Sequence, residues 1–348
     1  MSNLFFGRGR LMVWVLLALG ILLVAAAACG DPSDMGIFVT MAQPGVTEDG
    51  VDYSVEDILG AIDGDPGEDG WAKAFDGSDN GLTPTHNISA FSFEETVSGL
   101  TPLEFDDIDT VLLSFAPNRV RVPGISGWVY GQDLIKFTET AINQIGPGEF
   151  EMFFDGSDVG LTTVDEKIDG VTWVTPETMT QWAGANDVEI PVDCNAGVLF
   201  LTTQGAYRVP GADGRPLRGK GSDVLLFCAF NTGADTAGLW YRVFKGSDVA
   251  MSPPNAPYSL VIASFTWGDS LNVNQADLNA SVDFFFTART TFTANGLTSP
   301  GQPSQLFRYN SATNEVSDEG IDFNSNDQAA ALNGVVDSLS LLPVITPP

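Results

Sequence analysis

FDGSDNGL at 75–82 returns as FDGSDVGL at 154–161 and, altered, as FKGSDVAM at 244–251. The copies start 154 − 75 = 79 and 244 − 154 = 90 residues apart. Other segments recur around them in a constant order. ISAFSF (88–93), DGVTWV (169–174) and SLVIASFTW (259–267) come first, then DTVLLSFAP (109–117), GVLFLTT (197–203) and SVDFFFTA (281–288). RVRVPG (119–124), AYRVPG (206–211) and TFTANG (291–296) are third, and DLIKFTE (133–139), SDVLLFCAF (222–230) and SQLFRYN (304–310) are fourth. EFEMFFDG and LWYRVFKG then lead into the next copy. Val, Ile, Phe, Thr and Tyr fill the segments, and Gly, Pro, Asn and Asp collect between them. That pattern belongs to short β-strands joined by turns.

Four strand-like segments per repeat is the count of a propeller blade. The ends extend the pattern: GIFVTMAQPGV (36–46) resembles the third segment, SVEDILGAI (54–62) the fourth, and 320–342 the first two. The chain thus reads as half a repeat, three whole repeats and the complementary half. Joining the halves gives a fourth unit and closes a ring without exposed strand edges. The expected fold is all-β: a closed propeller-like array of about four four-stranded units, with both termini sharing one unit. Tandem β-sandwiches or a β-solenoid are the alternatives. The repeat domain is expected over 36–343, followed by a tail at 344–348. Short helices are expected at 139–145 and 328–335, with 177–183 a weaker candidate.

The 348 residues carry 15 Lys and Arg against 45 Asp and Glu, a net charge of −30. Such a chain has little with which to neutralise a run of phosphates, so nucleic acid is excluded as a partner. A hydrophobic fraction of 44% supplies a core. The single histidine, His86, leaves almost no material for histidine-based triads or multi-histidine metal sites. It follows a Pro-Thr turn and is expected at the surface.

Arg8 and Arg10 precede the uncharged run LMVWVLLALGILLVAAAA at 11–28, and Cys29 follows. This is the layout of an export signal. Ala26-Ala27-Ala28-Cys29 resembles the bacterial lipobox, with Ala26 where a larger aliphatic is usual. The resemblance implies cleavage of a signal peptide at 1–28, lipidation of Cys29 and a short linker at 29–35. It places the chain outside the cytoplasm, lipid-anchored at the outer membrane or cell surface. An uncleaved anchor helix and ordinary secretion are the other readings. Removing 1–28 leaves 13 − 45 = −32 charges. It also leaves Cys194 and Cys228 as a candidate disulfide in an oxidising compartment.

The tandem FDGSDVGL, with an I-D before a strand and a later D-V-L-L-F, resembles repeats of uncharacterised exported bacterial proteins. The likeness covers most of 36–342 and weakens in the third copy, where Lys245 replaces Asp. It implies the repeat architecture and no activity.

Asp76, Ser78, Asp79, Asp155, Ser157, Asp158 and Asp248 of the recurring motif are candidate Ca²⁺ ligands, since short carboxylates around Gly turns suit that ion. The competing reading is that these side chains cap turns. Acidic clusters at 63–69 and at Asp106, Asp107 and Asp109 read as loop and turn residues. Of the tryptophans at 71, 128, 173, 182, 240 and 267, Trp128 and Trp182 fall in expected loops and are the candidates for stacking on a sugar. No carboxylate pair stands out as a hydrolytic acid and nucleophile. The functional expectation is a lipid-anchored envelope protein with a binding or structural role and no identifiable catalysis, its partner a glycan or another envelope protein. The alternatives are a carboxylate-based carbohydrate-active enzyme and a passive acidic envelope component.

Overall fold

The structure is a computed structural model. It describes residues 35–47, 50–61, 70–94, 110–139, 148–179, 194–253, 258–267, 276–277, 280–323 and 336–343. Four four-stranded antiparallel sheets form a ring, the arrangement of a four-bladed β-propeller. From the axis outward, the second blade is Ile88–Phe93, Thr110–Phe115, Leu134–Thr138 and Glu149–Phe154. The third is Ile168–Val174, Val198–Thr203, Val224–Asn231 and Ala237–Phe244. The fourth is Tyr258–Trp267, Ala280–Ala288, Gln305–Asn310 and Glu315–Asp322. The first blade takes its innermost strand, Val336–Pro343, from the C-terminal end of the chain and Met35–Met41, Ile58–Ala61 and Ala72–Phe75 from the N-terminal end.

Two details differ from the sequence expectation. The shared blade divides three strands to one, not two to two, because 36–41 is a second strand and Glu315–Asp322 completes the fourth blade. The third recurring segment is not a blade strand. Arg119–Val120 with Val129–Tyr130, and Tyr207–Pro210 with Pro216–Gly219, form two-stranded ribbons beside the sheets, as Gly45–Val46 and Asp52–Tyr53 do in the first blade. Turn-rich stretches such as VPG and PGADG are too short-paired to extend a four-stranded sheet. They fold back on themselves between the second and third strands. Residues 176–179 form one helical turn that overlaps the expected 177–183, the rest of which lies outside the described residues. The candidate helix at 328–335 lies outside the described residues, as does the expected one at 139–145 beyond Glu139.

Each sheet is apolar on both faces because each is covered by two neighbours. Leu113 and Ile135 pack with Phe38 and Ile58 of the first blade, while Leu112 and Leu134 pack with Val171 and Leu225 of the third. Corresponding cores join the third blade to the fourth and the fourth to the first. Double coverage explains continuous runs such as VLLSF, where a half-exposed strand would alternate apolar with polar.

The recurring motif is the crossover from one blade to the next. Phe154 ends an outer strand, fully buried edge-on to Phe227 and Trp240. Gly156–Val159 form a 3-10 turn, and buried Leu161 precedes the next inner strand. The altered third copy keeps the turn at Gly246–Val249, although Ala250 must take a left-handed φ of 53°. The Gly after the Asp is required by contact: a Cβ on Gly156 would lie 2.3 Å from the Gln132 carbonyl oxygen.

Antiparallel order puts all crossovers and all ribbons on one face of the ring, here called the ribbon face. The chain enters at Met35 and leaves at Pro343, which pair with each other on the opposite, terminal face. Cys194 and Cys228 form a disulfide with Cα atoms 4.9 Å apart. It ties the residues leading into the second strand of the third blade to the third strand, toward the terminal face. A loop of this size is stabilised by about 2–4 kcal/mol when closed.

Gly156→Ala is expected to lower the thermal midpoint by several degrees, in the range of about 1–3 kcal/mol for overpacking. An unchanged midpoint in differential scanning calorimetry would mean that the crossover does not need that close approach.

Candidate functional site

The motif aspartates turn inward. Asp76 Oδ1 accepts from Ser78 N at 3.0 Å, Ser78 Oγ at 2.7 Å and Asp79 N at 3.3 Å, while Oδ2 takes Lys73 Nζ at 2.8 Å. Asp155 Oδ1 likewise accepts from Ser157 N and Ser157 Oγ at 3.0 and 2.6 Å, and Asp158 Oδ2 receives Thr236 N at 3.1 Å. These are cap and turn bonds. Ser247 and Asp248 hold the same places in the third turn. Among the described residues no group of three or more His, Cys, Asp or Glu is placed to hold a metal ion. The hydrogen bonds of Asp76 and Asp155 are those the turn reading of the motif expects. Cys29, Trp182, the 63–69 cluster and Asp106, Asp107 and Asp109 lie outside the described residues.

Beneath each motif sits an aspartate that motif-centred reasoning passed over. Asp57, Asp133 and Asp223 begin the third strands of their blades. Asp133 Oδ1 accepts from Gly156 N at 3.1 Å and Oδ2 from Tyr130 N at 2.8 Å. Asp57 repeats this with Gly77 N and Ser54 N, and Asp223 with Gly246 N and Lys220 N. One buried carboxylate thus fastens the crossover to the foot of each ribbon. The signal was present as the D of DILGA, DLIKF and DVLLF. In the fourth blade Ser304 takes this place, and its Oγ accepts from Val336 N of the closing strand at 3.1 Å.

The second polar cluster lies at the ribbon-face mouth of the axis. The second residues of the inner strands are Ser89, Asp169, Ser259 and Asp337, all buried. Arg289, just past the second strand of the fourth blade, bonds to the other three blades. Its Nη2 is 2.8 Å from Asp169 Oδ1, its Nε 2.6 Å from Asp337 Oδ1, and Nη2 donates to the Ser89 carbonyl at 3.3 Å. Ser89 Oγ donates to the Ile168 carbonyl, Ser259 Oγ accepts from Leu339 N, and Ser338 Oγ accepts from Phe91 N. Burial raises the carboxyls of both aspartates against the opposing pull of Arg289, Asp337 to about 6. Burial, with help from Asp155 and Asp158, pushes Asp133 up to about 7 against its two N–H donors.

Three carboxylate pairs share a cation: Asp57 and Asp76 around Lys73, Asp223 and Asp277 around Arg242, and Asp169 and Asp337 around Arg289. Each pair is bridged by its cation, unlike the acid and nucleophile of a glycosidase.

Exposed chemistry is concentrated on the second blade's ribbon. Trp128 is 40% and Tyr130 42% exposed. The guanidinium carbons of Arg119 and Arg121 lie 4.5 and 4.2 Å from the Trp128 ring centroid. Trp71, Trp173 and Trp240 are buried. His86 is 7% exposed, not at the surface as expected. Its Nδ1 accepts Thr83 N at 3.0 Å, so Nε2 carries the proton and donates to the Arg121 carbonyl at 2.7 Å. The histidine holds the ribbon in place. A shallow groove on the fourth blade, lined by the 296–302 turn with Gln305, Phe307, Ser317 and Asp318, has a volume of about 450 Å³.

Compared with known protein families, with curated proteins and with solved structures, the chain matches none.

The raised carboxyls set a pH dependence. Their folded pKa values lie above the ordinary unfolded value of about 3.9, so the folded state holds extra protons between the two. Stability from these groups is greatest near pH 4 and falls as pH rises through about 6 for Asp337 and about 7 for Asp133. Urea midpoints are expected to decline between pH 5 and 8. Asp133→Asn should flatten the upper part of that decline, and an unaltered slope in the variant would remove Asp133 from it.

Proposed function

We propose that this protein is an exported, lipid-anchored β-propeller that displays its ribbon face as a binding surface at the bacterial outer membrane or cell surface. The observation that carries the reading is the polarity of the ring. Met35 lies on the terminal face, six residues after Cys29, and the ribbons lie on the other face. Six residues span about 20 Å when extended. A diacylglyceryl group on Cys29 holds the terminal face toward the bilayer and turns the ribbons outward. The resemblance to exported bacterial repeat proteins agrees with that address. The disulfide between Cys194 and Cys228 suits an oxidising compartment.

A binding role is favoured over hydrolysis by the state of the carboxylates. Asp57, Asp76, Asp133, Asp155, Asp223, Asp169 and Asp337 on the ribbon face serve as turn caps, crossover clamps or partners of a shared cation. The passive alternative is disfavoured by the exposed Trp128 and Tyr130, which are built into an anchored ribbon rather than scattered.

The test is metabolic labelling with palmitate in a bacterial host. The native chain is expected to take up label and partition into a Triton X-114 detergent phase. Cys29→Ala should lose the label and remain as the larger precursor. Label retained by Cys29→Ala, or none on the native chain, would overturn the anchoring.

A further inference from the structure

The described basic residues other than Lys167 fall into two groups. Lys73, Lys136, Arg242, Lys245, Arg289 and Arg308 are each ion-paired. Arg119, Arg121, Arg208, Arg215, Arg218 and Lys220 form no ion pair among the described residues, and all six sit on the ribbons of the second and third blades or at their feet. Residues 117–132 carry two arginines and no acid, and residues 204–222 carry four bases and only Asp213. By contrast, 42–57 around the first blade's ribbon hold five acids and no base, and 290–304 of the fourth blade hold no charge. A chain with three acids per base has gathered its unneutralised cations on two adjacent ribbons.

We infer that these two ribbons form a binding site for an anionic polysaccharide, a chain of sugars bearing carboxylate or sulfate groups. This rests on the reading of the ribbon face as a displayed binding surface and names its ligand class. The site is organised in advance. His86 Nε2 holds the Arg121 carbonyl, and Glu166 Oε1 accepts Arg208 N at 2.8 Å, fixing each ribbon to its crossover. Pro210 packs against Gly160 of the crossover that joins the second blade to the third, so the ribbons are neighbours. Lys167 lies between them, its stem against Gly131 and its Nζ on the Ala116 carbonyl at 2.8 Å. Arg208 and Arg218 are cross-strand partners. Guanidinium forks match carboxylate and sulfate oxygens bidentately. The exposed Tyr130 ring supplies flat apolar surface for a sugar ring, which a bare anion would not use, and the Trp128 ring holds the guanidiniums of Arg119 and Arg121 in place. The crossover carboxylates Asp155 and Asp158 beneath the strip are engaged with Ser157 and Thr236 N.

The charge separation gives this site a distinctive salt dependence. The Debye length is about 30 Å at 0.01 M salt, about 8 Å at 0.15 M and about 3 Å at 1 M. At the lowest salt the polymer feels the whole acidic molecule and is repelled. Near 0.15 M it feels the local cations, and at 1 M these are screened. Binding is therefore expected to pass through a maximum at intermediate salt.

The experiment is calorimetric titration of the full chain in neutral detergent with polygalacturonate, dextran sulfate and uncharged dextran. At least one charged polymer is expected to bind with the salt maximum, and dextran is not. The two charged polymers distinguish carboxylate from sulfate. The triple variant Arg119→Ser, Arg121→Ser, Arg218→Ser should weaken binding by at least about tenfold, as loss of several charge contacts does. Its melting temperature should remain within a few degrees of the native value. Trp128→Ala, with both arginines intact, should also weaken it. No binding of either charged polymer, equal binding of dextran, or an unaffected triple variant would overturn the site. So would a salt-sensitive dimer in sedimentation velocity that the triple variant abolishes without any polymer binding, which would assign the ribbons to the acidic surface of a second copy. Cys29 labelling is read separately, so failure of anchoring and failure of this site are distinct results.

Discussion

One guanidinium on the axis meets a requirement that the rest of the ring creates. Four inner strands converge edge to edge without forming a common sheet, and their polar atoms are buried there. Apolar cores between blades press the sheets together but are indifferent to small slips between them. Arg289, carried by the fourth blade, reaches Ser89 of the second, Asp169 of the third and Asp337 of the closing strand. Buried polar contacts of this kind fix one arrangement where apolar packing alone would permit several. The girdle of Ser89, Ser259 and Ser338 does the same work for neighbouring pairs.

The blade count was legible because the crossover repeats. Its Phe and first Gly are demanded by contacts made again at three junctions, with Leu or Met closing the turn, so nearly the same letters return. The strand assignment was partly legible. RVRVPG and AYRVPG have strand composition, yet they pair within small ribbons, and composition does not distinguish a ribbon from a blade edge. The division of the shared blade was misread for the same reason, since Met35–Met41 resembles several segments and only pairing with Val336–Pro343 places it. The crossover clamp was visible as a recurring D before a hydrophobic run at Asp57, Asp133 and Asp223. Arg289 was not visible at all. It occurs once, because a ring needs one such centre however many blades it has. His86 was misplaced because a polar residue in a turn is ordinarily solvated, and nothing local announces that its ring bonds the Arg121 carbonyl 35 residues away.

The acidity also divides by position. Aspartates in the turns and clamps organise backbone N–H groups, which is why they recur. Acids, some of them these same aspartates, pair with six of the bases. What remains exposed is unevenly placed, acidic around the first blade's ribbon and basic on those of the second and third. A net charge of −30 thus coexists with a local cationic strip on the ribbon face.

The ring's dependence on its axial cation is tested most directly by the stability of Arg289→Met at two pH values. At pH 8 the substitution leaves Asp169 and Asp337 buried without their counter-charge, and a loss of about 3–5 kcal/mol is expected. At pH 5 Asp337 holds a proton, and part of that loss should be recovered. A variant as stable as the native chain at pH 8, or one equally destabilised at both pH values, would contradict the role given to Arg289.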